Sequence, residues 1–148
     1  MSFQLHHGVD IVDVARIRRI VERWGARFLQ RIYTSIELRD AAVASDGQIQ
    51  HERAYTSLAA RWAAKEAFAK ALGVGLRIPG SPAHPRAELI GLACLEIEVV
   101  RLPSGKPTLH LHGQAAQTAT AQGVQRWELS LSHSDTYAIA SVIGLTIP

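Results

Sequence analysis

One acid stands among three bases in the stretch SLAARWAAKEAFAKALGVG, residues 57–75. The pattern is helical from Leu58 to Leu72, holds no proline, and places Gly73 where a left-handed C-terminal stop belongs. On a 3.6-residue period Trp62, Glu66 and Lys70 form one column, with Arg61 and Lys65 in a second beside it. Alanine, leucine and phenylalanine fill most of the remaining surface. The charges are therefore expected to be semi-buried, where they need partners or a ligand. Glu66 and Lys70 also have the spacing of an ordinary i, i+4 ion pair, worth roughly a few tenths of a kcal/mol. Spacing alone leaves both readings open.

A second acid occupies an unusual place. Residues 6–12, HHGVDIV, alternate as a short strand with Val9 and Ile11 on one face and Asp10 and Val12 on the other. An acid inside an apolar strand marks either a strand end or a site. His110 and His112 share a strand face and could ligate a metal, but a structural zinc site wants four ligands and no cysteine pair accompanies them.

The elements that must position these groups follow from periodicity. From Asp13 a helix begins, with Val14, Ile17, Ile20, Val21, Trp24, Phe28 and Ile32 on its apolar side. Arg16, Arg19, Arg23 and Arg27 run along another face with only Glu22 beside them, which is either a solvated face or a match for an acidic surface. Thr34 and Glu37 have capping-box spacing and start a short helix through roughly Ala44. The residues SDGQIQ break it, and the central helix runs from about Glu52. Residues 75–91 are rich in proline and glycine and read as an irregular excursion. LEIEVVRL reads as a strand with Leu95, Ile97 and Val99 on one face, turning at residues 104–107 and returning through TLHLH. Gln114 to Gln122 is another helix, ended by Gly123, and WELSLSH and YAIASVIGL are two further strands. This order predicts one α+β domain over residues 1–148, with an antiparallel sheet packed against the long central helix and shorter helices.

Composition narrows the function classes. Hydrophobic residues make up 47% of the chain, which excludes wholesale disorder, and no apolar run approaches a membrane span. The N-terminus lacks the parts of a signal peptide, so a cytoplasmic protein is expected, with no membrane partner. A net charge of +3 and a pI near 9.4 point to an acidic partner. A basic nucleic-acid-binding module is the alternative, but aromatics are only 6% and are not interleaved with the basic residues as base stacking requires. The single cysteine, Cys94, lies in an apolar context where an inert buried thiol is expected.

Three stretches together resemble the 4'-phosphopantetheinyl transferases, in particular the short holo-(acyl-carrier-protein) synthase type. They are GVDIVDVARI at 8–17, RWAAKEAFAKALG at 61–73 and SLSHSDTYAIA at 130–140, with GKP at 105–107 between them. The resemblance implies an enzyme that moves the phosphopantetheine arm of coenzyme A onto a serine of an apo acyl carrier protein, releasing adenosine 3',5'-bisphosphate, with Mg2+ as the metal. It implies that Asp10 and Glu66 are the metal carboxylates and that Lys70 meets the diphosphate, these three being the catalytic set. Arg61, Lys65 and Gly73 are implied to contact the coenzyme, while Gly105, Lys106, Pro107, Ser132 and His133 line the nucleotide pocket. Arg16, Arg19, Arg23 and Arg27 match the docking helix for an acidic carrier protein. A metal-held water oriented by Glu66 is the implied base, with His133 a phosphate contact. Members of this length imply a homotrimer with interfacial active sites and a setting in fatty acid biosynthesis. A noncatalytic paralogue that binds coenzyme A or the carrier is the other alternative, against which the intact Asp10, Glu66 and Lys70 count.

Overall fold

A computed structural model describes residues 2–78 and 91–148. The first strand, β1 (Gln4–Asp13), pairs antiparallel along its whole length with the last, β7 (Tyr137–Thr146), and β7 pairs antiparallel with β6 (Arg126–His133). The sheet order is therefore β1-β7-β6, joining the two ends of the chain. The helix α3 (Arg53–Leu72) lies across the inner face of this sheet, packed on β1 and β7. Its alanines let the backbones come close: Ala63, Ala64 and Ala67 of α3 and Ala138, Ala140 and Val142 of β7 are all fully buried. The closest approach is at Gly8, where an added Cβ would stand 1.8 Å from the Ala67 carbonyl oxygen. No larger residue fits there without separating β1 from α3.

α3 stops as expected, with Leu72 as its last residue and Gly73 in the left-handed region at φ 68°. α1 (Val14–Ile32) is capped by the Asp13 side chain, which accepts from the Ala15 N–H. It is not continuous, because Gly25 adopts φ 54° and ψ −140°, which kinks the helix. Trp24, expected on the apolar side, is 54% exposed at this kink, and the Arg23 guanidinium lies over its ring. Beyond the kink Phe28 stacks on Trp62 and meets the edge of Tyr33.

Thr34 and Glu37 form the capping box at the start of α2 (Ser35–Asp40). The helix ends at Asp40 rather than near Ala44, since Ala42 turns to φ 58° and Val43 bridges back to Ile49. The hairpin β4 (Ile97–Arg101) and β5 (Pro107–Leu111) is antiparallel and turns through Gly105 at φ 88°. Leu95 does not belong to β4: residues Cys94–Glu96 form a 3-10 turn, and Leu95 is exposed while Ile97 and Val99 are buried. A two-residue parallel pair, β2 (Leu76–Arg77) with β3 (Leu92–Ala93), brackets the excursion, most of which lies outside the described residues. α4 (Gly113–Ala121) follows the hairpin. The expected α+β architecture with an antiparallel sheet on a long helix is what the chain adopts. Among the described residues no helix is long and apolar enough to cross a membrane.

Candidate active site

The Gly8 contact brings Asp10 onto the face of β1 that meets α3, beside Glu66 and Lys70. Lys70 Nζ donates to Asp10 Oδ1 at 2.7 Å and to the Val9 carbonyl at 3.2 Å. Of the two readings that spacing left open, the i, i+4 pair of Glu66 and Lys70 does not form: Lys70 pairs instead with an acid 60 residues away in sequence. Asp10 has little exposed side-chain surface and Lys70 is about half exposed. Partial burial raises the Glu66 carboxyl above its ordinary value, and the Asp10 charge raises it further, while Lys70 and Arg16 pull it back. The two carboxylates therefore feel each other across the contact between β1 and α3. A half-dry pair of acids held by one flexible ammonium has surplus capacity for a further cation.

A second assembly lies on the other side of α3, toward β6. There a cavity of about 1400 Å³ opens between the N-terminal half of α3, the hairpin turn and β6. Arg61, Gly105, Lys106, Pro107 and His133 line it, and so do His51, Arg53 and Arg101, which no sequence motif had marked. Arg61 is only 3% exposed. Its Nη1 donates to the Ser57 carbonyl and hydroxyl, and its buried Nε has no partner among the described residues. Burial pulls the Arg61 proton affinity below the ordinary value, against the attraction of nearby Glu37. Arginine keeps its proton under such pressure, so the charge awaits an anion. Lys106 is held by Glu128 at 2.7 Å at the rim. Asp135 also faces the cavity, whereas Ser132, one residue before His133, alternates to the other face of β6.

Two of the sequence-marked residues sit elsewhere. Lys65, expected to contact the coenzyme, is 1% exposed in the core, where its ammonium donates to Glu37 Oε2 at 2.9 Å, Cys94 O at 2.8 Å and Ile97 O at 2.6 Å. All three of its protons are taken by protein acceptors. Glu37, which sequence reading treated only as a capping residue, is fully buried and also accepts from the Thr34 and Val99 N–H groups. Gly73 serves as the C-cap of α3 and does not line the cavity. His112 pairs with Glu98 at 3.2 Å, and no cluster of three candidate metal ligands forms among the described residues. Burial pushes the Cys94 thiol up to about 11, which suits an inert role.

Arg61 and Glu66 are five residues apart, which is about 140° around a helix of 3.6 residues per turn. Neither Asp10, Glu66 nor Lys70 lines the cavity. Within one chain the acid pair and the basic cavity are thus separated by α3. Along the outer face of α1, Arg16, Arg19 and Arg23 are exposed on the first segment, while Arg27 lies past the kink and leaves their row.

The family model of the 4'-phosphopantetheinyl transferase superfamily matches residues 7–142. A holo-[acyl-carrier-protein] synthase of Chloroflexus aggregans is 53% identical over 142 residues, covering 95% of this chain and 94% of that protein. One from Herpetosiphon aurantiacus is 47% identical, covering 93% of this chain and 96% of that protein. The crystal structure of a holo-(acyl-carrier-protein) synthase from Bacillus anthracis, in complex with CoA (3',5'-ADP), superposes with a TM-score of 0.69 at 27% identity, covering 99% of this chain and all of that one. The chain belongs to the 4'-phosphopantetheinyl transferase superfamily, and within it to the holo-[acyl-carrier-protein] synthase type. It is accordingly an enzyme of the phosphopantetheinyl-transfer class.

Proposed function

We propose that residues 1–148 form one catalytic domain, working in the cytoplasm, that transfers the 4'-phosphopantetheine group of coenzyme A to a serine hydroxyl of an apo acyl carrier protein. The serine oxygen forms a new bond to the pantetheine-side phosphorus, the diphosphate bridge breaks, and adenosine 3',5'-bisphosphate leaves. The observation that carries this reading is the meeting of Asp10, Glu66 and Lys70 at the contact between β1 and α3. Two carboxylates fit a hard cation such as Mg2+, which takes one or two of them and fills its remaining positions with phosphate oxygens and water. A cage of three protein ligands is not required. When bound, such a cation masks diphosphate charge and acidifies a coordinated water.

The chain's own residues supply the rest. Lys70 is free enough to exchange Asp10 for a diphosphate oxygen, and Arg61 offers its unpartnered Nε to a phosphate of the nucleotide. Lys106 and His133 border the same space. The exposed arginines Arg16, Arg19 and Arg23 offer a positive track to an acidic carrier protein.

Separation of the acid pair from the basic cavity supports a site shared between chains, as in the homotrimer that the family resemblance implies. The outer face of the three-stranded sheet suits that assembly, since Leu5, Val9, Ile11, Ile139 and Ile143 are all at least 40% exposed there. Intact-mass spectrometry of an apo carrier protein incubated with the enzyme, coenzyme A and Mg2+ tests the reading. A gain of one phosphopantetheine arm, lost on chelation and with Glu66→Gln, is expected. No gain with any of several carrier proteins would leave a domain that kept the fold without the reaction.

A further inference from the structure

Four apolar side chains on the outer sheet face, Leu5 and Val9 from β1 and Ile139 and Ile143 from β7, surround one polar pair. His7 Nε2 lies 3.1 Å from Ser141 Oγ, and His7 is exposed. The register explains the arrangement: His7 is opposite Ile143 and Val9 is opposite Ser141, so the imidazole and the hydroxyl meet on a diagonal of the same face. This pair has no part in the acid cluster or the basic cavity. We infer that His7 lies within the face on which chains assemble, and that its protonation dissociates the assembly. The inference rests on the self-association reading above, whose own support is the division of the site by α3.

Histidine is the side chain that gains a charge as pH falls from about 8 to 5. Covering the face with a second copy removes water from His7, and a neutral ring hydrogen-bonded to Ser141 tolerates that. An imidazolium does not, unless a carboxylate stands beside it. Among the described residues the ionisable groups on the face offer none. Glu128 of β6 lies in the same row beyond Ile143, two strand spacings or about 9.6 Å away. It is already held by Lys106 at 2.7 Å. Arg126 adds positive charge, and Asp13 is engaged as the cap of α1. Copies related by rotation would also bring their His7 charges toward one another. A protonated ring must then give up its proton for the chains to assemble, so acid favours dissociation.

Sedimentation velocity of the enzyme at about pH 8 and pH 5.5, with far-UV circular dichroism at both, reads this directly. The wild type is expected to be assembled at the higher pH and to fall to a smaller species at the lower, with an unchanged spectrum. His7→Gln should stay assembled at both, and His7→Lys should be dissociated at both. A wild type that stays assembled at pH 5.5, or a His7→Gln variant that dissociates like wild type, overturns the role of His7. Should acid unfold the chain, the comparison of His7→Gln with His7→Lys at pH 8 decides, and equal assembly of the two overturns it. A wild type that is a single chain at pH 8 at every concentration overturns the self-association reading instead.

Discussion

Glu66 carries a conflict between stability and chemistry. Its carboxyl is raised in the folded chain by burial and by Asp10, above the ordinary value of 4.5. In the unfolded chain the group ionises first as pH rises, so the folded state binds more protons in that window and loses stability across it. Glu66→Gln removes the ionised group while keeping its shape. The variant should therefore melt higher than wild type at pH 7, with the gain vanishing below about pH 4.5, and should be inactive. Differential scanning calorimetry across pH checks it, and a lower melting temperature at pH 7 would contradict the account. Lys70 has the opposite effect on its neighbours, because its charge lowers the Glu66 carboxyl. Lys70→Ala should cut turnover about a hundredfold, as loss of one transition-state contact does. It should also move the acidic limb of the pH profile to higher pH. A loss under about threefold would remove Lys70 from the reaction.

At the scale of elements, α3 is held from both sides. The contact at Gly8 fixes it to β1, and the Lys65–Glu37 pair fixes it to α2 and β4. Breaking a buried pair from one side leaves an uncompensated charge, so Lys65→Met should destabilise by about 3–5 kcal/mol in urea unfolding. A cost near zero would mean that Glu37 finds other partners. The ends of α3, the Asp13 cap and the Thr34–Glu37 box were legible in sequence because each is a local event, decided within a few residues. The buried partners of Lys65 were not legible because they stand 28 to 32 residues away. The kink at Gly25 was hidden for a different reason: Phe28 and Ile32 keep helical spacing across it, so periodicity alone reports an unbroken helix. Asp10 was recognisable as an oddity in an apolar strand, but its pairing with Lys70 depends on which strand packs under α3. Arg53, Arg101 and His51 belong to no motif and enter the cavity only because the hairpin and α3 converge.

At the scale of the whole molecule, charge and symmetry separate the two substrates. Reversing Arg16, Arg19 and Arg23 to Glu should raise the Michaelis constant for the carrier protein, flatten its salt dependence and leave that for coenzyme A nearly alone. Arg27→Glu alone should do less, since the kink takes it out of the row. Equal effects on both substrates would place these arginines elsewhere in the reaction. The division of the site by α3 makes a stronger demand. A shared site takes its acid pair from one chain and its basic cavity from the next, so two differently disabled chains can complete one another. Glu66→Gln retains the cavity, and Arg61→Met retains the acids. Each alone should be inactive, but chains co-expressed in equal amounts and assembled at random should recover about a quarter of wild-type activity, because half the chains supply each intact half. Absence of any recovery in verified mixed assemblies would return the whole site to a single chain, with α3 or the hairpin moving to close the gap.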